Sequence, residues 1–151
     1  MKVLKTLVLI GTIFCLFSLV SCSEDNETAP TRAELLAGVT EDGRSYFISS
    51  AEIDLIDLDG TLVLDECVTD NTIIYYPDGR YDENEGRTKC DAEDAPGSTG
   101  TWRFSVDEEE VIISINNETQ VWTIESINDR SHRITRPTND GELTFVLERF
   151  L

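Results

Sequence analysis

From Tyr46 onward, apolar side chains recur at every second position in short runs, and each run is stopped by Asp, Asn, Gly or Pro. A strand turns successive side chains to opposite faces, so this period marks half-buried β-strands. Tyr46-Phe47-Ile48 opens a first strand. Ile53 and Leu55 then alternate with Glu52 and Asp54 ahead of an expected turn at Asp59-Gly60, and Thr61–Leu64 is β-prone. Ile73-Ile74-Tyr75-Tyr76 is a strand stopped by Pro77-Asp78-Gly79, and Arg80-Tyr81 begins its return. Residues 82–99 read as a long polar connection. Trp102, Phe104 and Val106 then share one face, Val111, Ile113 and Ile115 a second, and Trp122 and Ile124 a third. Their turns fall at Asp107–Glu110 and Asn116-Asn117. Ile134 follows a turn at Asn128-Asp129, and Asn139-Asp140-Gly141 leads into a last strand bearing Leu143, Phe145 and Leu147.

Short strands with regular turns describe a single all-β domain. Closing a sheet removes the sticky edges of its outer strands, so a small antiparallel β-barrel of about eight strands is the physical expectation. A β-sandwich shows the same alternation and stands as the alternative. One short helix precedes the strands. Thr31-Arg32-Ala33-Glu34 fits a capping box, Leu35, Leu36 and Ala37 follow, and Gly38 can end the helix.

The first residues follow a different pattern. Lys2 and Lys5 precede an uncharged, largely apolar run from Thr6 to Ser21, as in an export signal. The run is shorter than the ~20 residues of a membrane-spanning helix. Leu19-Val20-Ser21-Cys22 resembles the lipobox of bacterial lipoproteins. The resemblance implies that the Cys22 thiol receives a diacylglyceryl group, that a peptidase cuts before it, and that the new amine is acylated. Residues 1–21 would then be the signal peptide, residues 22–30 an acidic tether and residues 31–151 the folded domain. Several acyl chains on one cysteine suffice for stable anchoring, so the expected partner is a membrane reached through lipid. Ser23-Glu24-Asp25-Asn26-Glu27 resembles the Ser-plus-acidic signal that takes some Gram-negative lipoproteins to the cell surface, and it reads equally as a hydrated spacer. The expected location is the cell envelope, at the outer membrane.

The chain carries 30 acidic against 12 basic residues, a formal net charge of -18. The signal contributes two of the lysines and no acid, so its removal leaves a still more acidic domain. A phosphate backbone needs a basic footprint, which argues against nucleic acid. Electrostatic docking on anionic lipid headgroups is disfavoured for the same reason. Cys15 lies in the signal and Cys22 is the acylation site, which leaves Cys67 and Cys90. An even pair in an oxidising compartment reads as a disulfide. No histidine or third cysteine lies near either in sequence to complete a zinc site.

Cys67-Val68-Thr69-Asp70-Asn71, Tyr75-Tyr76-Pro77-Asp78-Gly79-Arg80-Tyr81, Gly86, Cys90 and Gly100-Thr101-Trp102-Arg103-Phe104 follow one another in order. The set resembles the lipocalin-like domain of Gram-negative envelope lipoproteins, over about residues 31–151. In that family a Cys and an Asp-Asn or Asp-Asp pair precede an aromatic-x-x-Asp-Gly hairpin, and a second Cys and a Gly-x-Trp strand follow. The resemblance implies a small β-barrel without a defined ligand. True lipocalins open their first strand with Gly-x-Trp, whereas Gly100-Thr101-Trp102 lies mid-domain, so no ligand residue transfers.

Leu55-Ile56-Asp57-Leu58-Asp59-Gly60-Thr61-Leu62 matches the motif of haloacid-dehalogenase-type phosphatases, with Asp57 as nucleophile and Asp59 as acid/base beside magnesium. That chemistry also needs a parallel α/β sheet, a downstream lysine and further acids. Hairpins follow instead, and the only later lysine, Lys89, lies in a polar loop. An enzyme is therefore not expected, and no catalytic residue is assigned. Asp57, Asp59, Gly60 and Glu66 approach a calcium loop, but Leu55 stands where its first carboxylate belongs. Neither metal nor cofactor is expected. His132, the only histidine, reads as a solvent-facing strand residue. An eight-stranded barrel has room for its own side chains or for one small ligand. Should it hold a ligand, Trp102, Phe104, Trp122, Ile124 and Phe145 are the candidate binding residues, although both tryptophans read first as core. The leading functional expectation is a lipid-anchored envelope protein with a lipocalin-like barrel and a small apolar ligand. The alternative is a surface interaction module without a ligand pocket.

Overall fold

The computed structural model describes residues 29–55, 58–93, 95–139 and 141–150. The expected signal, Cys22, most of the expected tether and Asp57 lie outside the described residues. The elements are α1 (Arg32–Ala37), β1 (Arg44–Leu55), β2 (Leu58–Leu62), α2 (Glu66–Thr69), β3 (Thr72–Tyr75), β4 (Arg80–Asn84), β5 (Gly97–Phe104), β6 (Glu110–Ile115), β7 (Glu118–Ile127), β8 (Ser131–Pro137) and β9 (Gly141–Arg149). From β3 to β9 each strand pairs antiparallel with the next.

β1 closes the ring. Its first residues pair with β3, Arg44 facing Tyr75, and it pairs with β9 from Tyr46↔Arg149 to Leu55↔Gly141. The result is a closed eight-stranded antiparallel barrel, the architecture expected of a small lipocalin-like domain. The sandwich alternative is set aside by the β1–β9 ladder, which leaves no gap between two sheets. β2 lies outside the ring and covers the distal half of β1, from Ala51↔Leu62 to Leu55↔Leu58. Asp59 and Gly60 are not the expected turn. They pair with Asp54 and Ile53 inside β2, in an antiparallel hairpin rather than at the end of a parallel strand.

The apolar period breaks where the barrel bends. Tyr46 and Ile48 face inward, and after a bulge at Ser49 the inward position passes to Ala51. The extra residue resets the phase, so one long strand keeps its apolar side against the core. The Ser49 hydroxyl donates to the Val146 carbonyl at 3.1 Å, fixing the bulge on β9. β7 repeats the device between Ile124 and Ser126. Val106, expected on the face of Trp102, is fully exposed beyond the end of β5. The polar connection is shorter than 82–99, because β4 runs to Asn84 and β5 starts at Gly97.

α1 seals one end of the barrel. Thr31 Oγ1 accepts from the Glu34 amide at 3.2 Å, and Glu34 Oε2 accepts from the Thr31 amide at 2.7 Å, so the capping box forms. Leu36 and Ala37 are buried. The carbonyls at the helix C-terminus lack intrahelical donors. Arg44 Nη1 donates to Leu35 O at 2.9 Å, and the Tyr46 hydroxyl lies 2.9 Å from Leu36 O.

The opposite rim is clipped together. Cys67 on α2 and Cys90 in the β4–β5 connection form the disulfide, with Cα atoms 5.1 Å apart. Asp70 Oδ2 accepts from the amides of Arg87 and Thr88, each at 2.9 Å, and Asn71 Oδ1 accepts from the Gly86 amide at 2.9 Å. Any side chain on Gly86 would run into Asp70, so this close approach requires glycine. Cys67 and Cys90 are 23 residues apart, and opening a loop of that size is expected to cost roughly 3 kcal/mol. Replacing both cysteines by serine should lower the urea midpoint accordingly, and an unchanged midpoint would show that the Asp70 and Asn71 clip suffices.

Candidate functional site

Two unequal halves make up the barrel interior. Next to α1 the space is filled by aromatic rings packed edge to face. Tyr46 meets His132 at 4.5 Å between centroids and Tyr75 at 6.0 Å. Tyr75 meets Tyr81 at 5.3 Å and Trp102 at 5.7 Å, and Trp102 meets Phe104 at 5.4 Å. Such contacts place positive ring edges on negative faces and add roughly 1 kcal/mol each beyond burial. Trp102 is also tied to the β3–β4 turn. Its indole donates to Tyr76 O at 2.8 Å, and its amide donates to Gly79 O at 2.8 Å.

Beyond this plug the barrel is not filled. A cavity of about 160 Å³ lies between the strands. Ile48, Ile73, Ile113, Ile134, Phe145, Leu147 and Trp122 supply apolar wall, and Tyr75 and Tyr81 border it from the plug. On β5 the position two before Trp102 is Gly100, where a Cβ would run into the Ser114 carbonyl of β6, so glycine permits the close approach of the two strands.

Three polar side chains line the same cavity: Glu83 on β4, Gln120 on β7 and Arg136 on β8. Each lies near the strand end away from α1. In the order of the ring, β4 and β8 are diametrically opposed, so Glu83 and Arg136 face each other from opposite walls. Arg136 stacks over the Trp122 ring at 4.6 Å and donates from Nη1 to Gln120 Oε1 at 3.3 Å. The same oxygen accepts from the Trp122 indole at 3.2 Å. Arg136 Nε is buried without a hydrogen-bond partner among the described residues. Burial pushes the Glu83 carboxyl above the usual carboxylate range, and the Tyr81 hydroxyl pulls the other way. Arg44, Arg80, Arg133 and Arg149 all pair with carboxylates, whereas Arg136 makes no ion pair among the described residues.

Of the five residues nominated from sequence, Trp122 and Phe145 line the cavity, 5.4 Å apart. Trp102, Phe104 and Ile124 belong to the packed core and do not line it. Sequence reading passed over Glu83, Gln120 and Arg136, although the signal was present. Each sits two residues from an inward apolar side chain, Tyr81, Trp122 and Ile134 respectively. Period-two alternation puts them on the inner face whatever their polarity.

His132 follows the same rule and corrects the expectation of a solvent-facing residue. It lies two positions before Ile134, is 1 % exposed and packs between Tyr46 and Tyr75. Neither ring nitrogen has a hydrogen-bond partner among the described residues. Burial lowers its pKa from 6.5 to about 3.

No family model matches the chain, and no curated protein matches it. Among solved structures, an uncharacterized protein from Bacteroides eggerthii is similar over 70% of this chain and 97% of its own, with 9% sequence identity and a TM-score of 0.48.

His132 has a consequence for acid stability. Between its folded pKa near 3 and its unfolded pKa near 6.5 the unfolded chain holds the extra proton. His132 therefore removes stability as pH falls through that window, by at most roughly 1.4 kcal/mol per pH unit. Comparison with a His132→Phe variant cancels the contribution of the carboxyl groups common to both chains. Urea unfolding between about pH 6 and pH 4 should show a steeper loss for the wild-type chain than for the variant. Parallel losses would mean that the folded chain protonates His132 freely.

Proposed function

We propose that this chain is a lipid-anchored envelope protein whose barrel holds one small, largely apolar molecule. The observation that carries the reading is the cavity of about 160 Å³, walled by isoleucine, leucine and aromatic side chains and rimmed by three polar groups. Apolar walls with a few placed polar groups are the usual make-up of small-molecule sites. An engineered apolar cavity of comparable size, ~150 Å³, takes up benzene. The volume therefore suits a ring or a short branched chain, not a long acyl chain.

The anchor rests on sequence. Leu19-Val20-Ser21-Cys22 supports lipidation at Cys22, and a net charge of -18 favours attachment through lipid over contact with anionic headgroups. Attachment would place the binding barrel at the outer membrane without requiring any strand or helix to cross it.

The two parts of the reading are tested separately. Cells fed a labelled fatty acid should label the wild-type chain and leave Cys22→Ala unlabelled, and label in both would end the anchor. Native mass spectrometry of the purified wild-type chain should carry a reproducible extra mass that leaves on denaturation. Ile113→Phe, which fills the cavity, should lose that mass. A clean wild-type mass that ignores both added isoamyl alcohol and added leucine would sink the carrier and favour a surface interaction module.

A further inference from the structure

We infer that the cavity is a site for a small apolar α-amino acid, with its carboxylate on Arg136 and Gln120, its ammonium on Glu83 and its side chain among the isoleucines. The inference rests on the ligand-pocket reading and names the class of ligand.

Charge drives the choice. Arg136 lines the cavity, and among the described residues its guanidinium meets only the neutral amide of Gln120 and makes no ion pair. Among the described residues no carboxylate pairs with this cavity-lining arginine, in a chain that carries 30 acidic residues. An incoming carboxylate would supply the guanidinium with a charge-assisted bond. Stacking on Trp122 fixes the guanidinium plane beforehand, which reduces the ordering cost of binding.

Glu83 decides against a plain carboxylic acid. It lines the same cavity from the opposite wall, and burial already disfavours its charge. A monoanion would satisfy Arg136 and leave the Glu83 carboxyl without a cation to stabilise its charge. A simple amine would do the reverse. A zwitterion matches both walls and carries no net charge, so the strongly acidic surface neither attracts nor repels it. The remaining lining is apolar, and a volume of about 160 Å³ suits a short branched side chain.

Equilibrium dialysis of the full chain in phospholipid nanodiscs, with radiolabelled leucine as probe, tests this. Competitors are isocaproate, which is leucine without its ammonium, isoamylamine, which lacks the carboxylate, and isoamyl alcohol, which lacks both charges. Leucine should be retained, and each competitor should displace it at least roughly tenfold less well than unlabelled leucine, as expected for loss of one charge-assisted bond. Glu83→Gln is nearly isosteric and should weaken leucine by a similar factor. Arg136→Gln should do the same, with unchanged circular dichroism as the control for its lost stacking on Trp122. Isocaproate or isoamyl alcohol binding as well as leucine, or better, would overturn the zwitterion while leaving an apolar pocket in place. Failure of all four compounds to bind would overturn both.

Discussion

The structure depends on β1, a strand of twelve residues with three partners. Its start holds β3, its distal half holds β2, and nearly its whole length closes against β9. That closure joins parts of the chain far apart in sequence, as in the hydrogen bond from Ser49 to Val146. Its entropic cost grows only slowly with loop length, but it must be met before the interior is shielded from water. The bulge at Ser49 is what lets one strand serve this role. Without the extra residue, Ala51 would turn outward where its partner Phe145 turns in.

Given closure, side-chain volume divides the interior. Tyr46 is central, because its ring packs on Tyr75 and His132 while its hydroxyl reaches the last carbonyls of α1. One residue thereby couples helix, plug and closing strand. Large rings crowd the α1 end. Isoleucines wall the open space at the other end, and there Glu83 and Arg136 sit partly desolvated without pairing with each other. Unpaired charges in such a place work against folding. Packing alone gives no account of why two opposite charges should line one cavity from facing walls.

Strand positions were legible because period-two alternation is a local signal. Tyr75, Trp102, Ile113 and Leu147 all fall where it puts them. The capping box at Thr31 and Glu34 was legible for the same reason. Asp59-Gly60 misled, since a turn-forming pair can also occupy a strand when the neighbouring register demands it. His132, Glu83 and Arg136 were missed because polarity was allowed to outweigh phase. On a closed barrel the phase of the strand decides the face, and polar residues enter with it. Two bulges then shift that phase midway along β1 and β7, which no count from either strand end would locate.

The residues that carry the family resemblance turn out to hold the barrel rather than its contents. Cys67 and Cys90 cross-link the rim, Asp70 and Asn71 cradle the amides of Gly86, Arg87 and Thr88, and Trp102 clasps the turn at Tyr76 and Gly79. Of that set only Tyr75 and Tyr81 reach the cavity, and both do so from the plug. Glu83, Gln120 and Arg136 belong to no motif. Such a wall can be kept by its clips while the inward polar positions change what it accepts. A motif match therefore speaks for architecture, and the chemistry of the cargo has to be read from the inner face.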